Sequence, residues 1–141
     1  MSRTGQEIEK DVFDIIANSS LKNKVNGVVC MEDERPKDSD LEDIEVKFVS
    51  GLPGVIETGS VVVFIYVKDV DIYGDGTLRQ DKPRLKQLAR YAEDWVKDIS
   101  GRSVEIGYKF EKLFALNTQK APDIHQHFIS IRLHYKAVEK D

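Results

Sequence analysis

Val61-Val62-Val63-Phe64-Ile65-Tyr66-Val67 constrains this chain more than any other stretch, because seven consecutive β-branched and aromatic residues are left uninterrupted by charge, glycine or proline. Such residues favour the pleated surface of a sheet. Seven residues are also too few to cross a bilayer, for which an apolar helix needs about 20. A strand apolar on alternate and intervening positions alike has no wet side, so the run is expected to be a central strand buried on both faces. It then needs a strand on each edge.

The rest of the sequence offers those partners. Val25-Asn26-Gly27-Val28-Val29-Cys30 is a short strand candidate, and in Asp43–Val49 the apolar Ile44, Val46 and Phe48 alternate with Glu45 and Lys47. That alternation predicts a strand with one buried face and one wet face. Residues 103–116 alternate unevenly, with Gly107 placed for a bulge. Beyond the polar Asn117–Asp123, expected to be a connecting loop, Ile129, Ile131, Leu133 and Tyr135 fall on one side of a last strand. Gly51-Leu52-Pro53-Gly54 and Tyr73-Gly74-Asp75-Gly76 are turn chemistry.

Two helices complete the pattern. Thr4 and Glu7 stand at capping-box spacing, and Ile8, Val12, Ile15 and Ile16 recur at helical spacing, which predicts a helix over about 5–18. Asp81 is placed to cap a second helix with Pro83 in its first turn, and Gly101 to close it. Between them Leu85, Leu88, Ala89, Ala92, Trp95, Val96 and Ile99 form an apolar stripe. The order is α–β–β–β–α–β–β, predicting a single α+β domain over residues 1–141, a largely antiparallel sheet flanked by two helices.

Composition narrows the partners. With 40% apolar and 33% charged residues, the chain is rich enough in aliphatics to fold and carries a net charge of −4. That balance recommends neither a membrane surface nor a specific nucleic acid. Eight acids stand against Arg35 and Lys37 between Glu32 and Glu45, which reads as a solvated loop. The polar N-terminus and the one thiol, Cys30, which the flanking valines would keep buried and inert, fit a soluble intracellular protein.

Catalytic signatures are sparse. Gly51–Gly54 lacks the Lys-Ser/Thr pair of a phosphate loop, and an apparent calcium loop from Asp69 fails at Tyr73 and Gln80. His125 and His127 share a direction on a regular strand and could share a metal, whereas His134 has the opposite parity. Arg79, Lys82, Arg84, Lys86 and Arg90 make a basic patch at the start of the second helix. These features leave a small metal-assisted enzyme using His125 and His127, or a regulatory binding module, as alternatives. On the residues themselves, no catalytic group, cofactor or metal ligand is assigned, and the histidines are read as marking the approach to the last strand.

The layout nevertheless resembles a known group. Arg35-Pro36 in a charged loop, Glu42-Asp43-Ile44-Glu45-Val46, the strand ending Val67-Lys68-Asp69, Pro83–Leu88 and His127–Leu133 follow one another as in small phage and prophage proteins of head–tail joining, tail completion and tail termination. The resemblance spans nearly the whole chain and rests on the order of elements. It implies a non-enzymatic structural protein of virion assembly, a homo-oligomeric ring at the tail end or head–tail junction. Its partners would be itself and other phage tail or neck proteins, and its location the cytoplasm during assembly and then the virion. The loops Glu32–Glu45 and Val70–Gln80 sit where such proteins meet neighbours, so Tyr73, Leu78 and Arg79 are candidate subunit-contact residues.

Overall fold

The Thr4 hydroxyl accepts the Glu7 N–H at 3.2 Å while the Glu7 carboxylate accepts the Thr4 N–H at 3.0 Å. This reciprocal cap starts α1 (Gly5–Ala17), whose buried residues are Ile8, Val12 and Ile16. The computed structural model describes residues 3–54 and 56–138. After a 3₁₀ turn at Ser20–Lys24 come β1 (Val29–Met31), β2 (Ile44–Leu52) and β3 (Thr58–Lys68). Helix α2 (Lys82–Ser100) begins where the Asp81 carboxylate accepts the Arg84 N–H, and a short α3 (Ser103–Ile106) follows. Strands β4 (Tyr108–Lys112), β5 (Asn117–Ala121) and β6 (Gln126–Ala137) close the described chain.

The fold is α+β. The sheet runs β1-β2-β3-β6-β4, with β5 also paired to β6. Among the described residues, β1 and β2 pair in parallel and the other strand pairings are antiparallel. Strand β3 lies between β2 and β6, as its composition predicts. Long β6 is covered on its far side by two short strands in succession, β5 against 126–130 and β4 against 133–137.

Register decides which side chains meet the helices. Ile44, Val46, Val61, Val63, Ile65, Ile129, Ile131 and Leu133 point to one side and join Val12, Ile16, Leu88, Ala92 and Ile99 in a single core. Both long helices therefore pack on the same face, making two layers. Among the described residues no helix packs on the other face. That corrects the expected burial of β3 on both sides: Val62 is buried there, but Phe64 and Tyr66 are half-buried.

Three further readings change. Asn117–Ala121 is a strand, because β6 offers it a ladder that its polar side chains can join from solvent. Ser103–Ile106 is a helical turn, and Gly107 is its left-handed cap at φ 83° in place of the expected bulge. The bulge of this sheet falls instead in β2, between Phe48 and Ser50. Among the described residues, no helix is long and apolar enough to cross a membrane.

Candidate functional site

The uncovered sheet face is the most distinctive surface. Glu45 and Lys47 of β2, Val62, Phe64, Tyr66 and Lys68 of β3, and Gln126, Phe128, Ser130, Arg132, His134 and Lys136 of β6 are brought to it by cross-strand register. At its centre the rings of Phe64 and Phe128 lie 4.6 Å apart by centroid, and Tyr66 sits 5.4 Å from Phe128. Mutual packing of three rings is how a face without a helix shields apolar surface. Two cations cap it: the Arg35 guanidinium lies 3.8 Å from the Tyr66 ring centre and the Lys47 ammonium 5.0 Å from that of Phe64.

Arg35 arrives there on the acidic loop, and the loop is not solvated throughout as its composition suggests. Its last acids, Glu42, Asp43 and Glu45, are buried. The Asp43 carboxylate accepts from Arg35 Nε at 2.9 Å, from the Ser39 hydroxyl at 2.6 Å and from the Val28 N–H at 2.9 Å. Burial alone would raise this carboxyl, but the Ser39, Val28 and Arg35 donors together hold it below the usual carboxylate range. Arg35 also donates to Gln126 Oε1 at 2.8 Å, and Gln126 returns a bond to the Ser39 carbonyl at 2.8 Å. Tyr66 donates to Glu45 at 2.9 Å.

This clamp fixes the loop over one end of the open face. The exposed Glu32, Asp33, Glu34, Asp38 and Asp40 remain in solvent with Lys37, and no salt bridge engages them among the described residues. A second clamp lies behind it. Arg84 grips Glu42 through two bonds of 2.7 Å and donates to the Lys24 carbonyl at 2.7 Å. The basic patch expected at the start of α2 is thus depleted at its centre, because Arg84 is held by its own chain.

The histidines separate. His125 is exposed, in left-handed conformation at φ 54°, and its carbonyl accepts the Asp69 N–H at 3.0 Å. His127 lies in β6 with Nδ1 2.6 Å from Asp69 Oδ1. Facing a carboxylate, that nitrogen is the one that carries the proton. The acid partner missing from the local sequence is supplied 58 residues away. The pair bridges the end of β3 to the start of β6. His134 lies on the open face, as parity requires. Among the described residues, no three His, Cys, Asp or Glu side chains gather as a metal site. Cys30 is buried, and burial followed by the neighbouring Glu45 and Asp43 pushes its thiol up to about 12. Such a thiol is inert at neutral pH.

Tyr73, Leu78 and Arg79 stand together on a loop that closes at a Val70–Arg79 bridge, with both backbone bonds 2.8 Å. The Asp71 carboxylate accepts the N–H groups of Asp75 and Gly76, and Gly74 and Gly76 turn at positive φ. Arg79 bonds Asp75 and lies 4.9 Å from the Tyr73 ring centre. Tyr73 is 75% exposed, and Ile72 and Leu78 are exposed beside it. Compared with known proteins, the chain matches no family model and no curated protein sequence.

Proposed function

We propose that this chain is a non-enzymatic, phage-derived assembly protein, a ring-forming subunit at the tail end or head–tail junction. What carries the reading is the 70–79 loop. Its backbone is locked by the Val70–Arg79 bridge and the Asp71 cap, yet it offers Ile72, Tyr73 and Leu78 to solvent. A preorganised arm loses little entropy when it docks, and aromatic anchors dominate protein interfaces. An arm that docks on a different surface of its neighbour makes a heterologous contact, the kind that forms a ring when the rotation between subunits closes. The resemblance to tail-completion and tail-terminator proteins supplies the setting.

Light scattering and native mass spectrometry across a wide concentration range test this. A discrete oligomer larger than a dimer is expected, and Tyr73→Glu with Leu78→Glu should raise its half-assembly concentration by at least about tenfold. A chain that stays monomeric or dimeric throughout, also with purified tail tubes, would overturn the proposal. So would stoichiometric zinc or manganese held through His125 and His127.

A further inference from the structure

The open sheet face is electrically divided. By register it carries five cations, Lys68 opposite Gln126, Lys47 opposite Val62, and Lys109, Arg132 and Lys136 together at the far end, against two acids, Glu45 and Glu111, in a chain whose net charge is −4. Of the acids Glu45 is buried, and Glu111 lies 3.9 Å from Lys109. Arg132 and Lys136 are exposed, and among the described residues neither has a salt-bridge partner. The acidic lobe, Glu32 to Asp40, is clamped over the opposite end, where Arg35 meets Tyr66 and Gln126. At about 3.3 Å per residue, six to ten residues of β6 separate Gln126 from Arg132 and Lys136, a span of roughly 20–33 Å. Several Debye lengths at physiological salt lie between the lobes, so the chain cannot neutralise one with the other.

A second copy of the chain can. Building on the ring-forming reading above, we infer that the subunit interface, in addition to the contact made by the 70–79 arm, joins the acidic lobe of one protomer, Glu32 to Asp40, to the basic end of the open sheet face, Lys109, Arg132 and Lys136, of the next. The two patches are complementary in sign and are different surfaces, so each protomer donates one and receives one. A heterologous ring meets that requirement at every joint, whereas a face-to-face pair, which also meets it, stops at two subunits. Single-stranded nucleic acid is the competing occupant of a basic sheet with aromatics, because bases stack on free ring faces. Here Arg35 already covers Tyr66 and Lys47 covers Phe64, which leaves the second copy as the better fit.

Charge reversal in trans tests the pairing. One variant carries Lys109→Glu, Arg132→Glu and Lys136→Glu; the other carries Glu32→Lys, Glu34→Lys and Asp40→Lys. All six side chains are exposed, and circular dichroism verifies folding. Each variant alone should raise the half-assembly concentration by at least about tenfold, because like charges then face each other. Mixed one to one, they should associate in alternation into mixed oligomers of even subunit number, and wild-type assembly should weaken as salt rises. Folded variants that assemble like the wild type would overturn the interface while leaving the ring reading intact. Variants that fail alone and also fail when mixed would overturn the pairing of these two patches. A wild type with no oligomer would overturn both. Stoichiometric binding of oligo(dT) by the wild type, lost in the basic-end variant without any self-assembly, would assign the face to nucleic acid.

Discussion

Asp43 shows what a single residue does in this chain. It is 0% exposed, yet it is ionised, because one oxygen accepts a backbone N–H and the other a hydroxyl and a guanidinium. Removing the carboxylate by Asp43→Ala strands Arg35, which Gln126 and the Tyr66 ring hold in place, and the expected loss is about 3 kcal/mol by urea unfolding at neutral pH. A carboxyl depressed in the folded state stabilises fully above its unfolded value of about 3.9 and ceases to as pH falls through the folded value. Thermal stability of the wild type should therefore decline below about pH 4 more steeply than that of Asp43→Asn. An equal acid limb in both would show that the clamp contributes nothing. Little of this was legible in the sequence. Eight acids in fourteen residues look solvated, and only the fold brings Gln126 and Arg84, from 91 and 42 positions away, to the loop that buries three of them.

Elements were legible in proportion to how much their own residues determine them. Helices α1 and α2 carry caps and stripes within themselves, and β3 and β6 carry their apolar patterns, so periodicity placed all four. Strand β5 carries none: Asn117–Lys120 is exposed, and what makes it a strand is the vacant edge of β6. Ser103–Ile106 alternates like a strand but is bent into a turn by the left-handed Gly107. The β2–β3 pair depends on a similar backbone detail. At Gly59 an added Cβ would collide with the Ser50 carbonyl and would lie 2.6 Å from the Tyr135 hydroxyl. Neither the ladder nor the 1%-exposed tyrosine can withdraw cheaply. Gly59→Ala should cost roughly 1–3 kcal/mol, read as a lower urea midpoint. An unchanged midpoint would mean that the strands slide apart at no cost.

At the scale of the molecule, two helices on one face of the sheet leave the other face to solvent, to the clamped loop and, on the proposal made above, to the neighbouring subunit. Two of the histidines help to join the strands: His127 ties β6 to the end of β3 through Asp69, and the His125 carbonyl accepts the Asp69 N–H. The sheet also sets an order of events during synthesis. Strand β3 pairs with β2 a few residues upstream, but its other edge waits for β6, some sixty residues later in the chain. Until Gln126–Ala137 emerges, Val61–Val67 presents a bare, uncharged template of main-chain donors and acceptors, the kind of edge that recruits another chain. Chains ending before Gln126 should accumulate as thioflavin-positive aggregates, whereas a soluble, monomeric product would show that the helices alone guard that edge. On that expectation the closing strand acts as a chaperone in cis, sealing the edge that the unfinished chain leaves open.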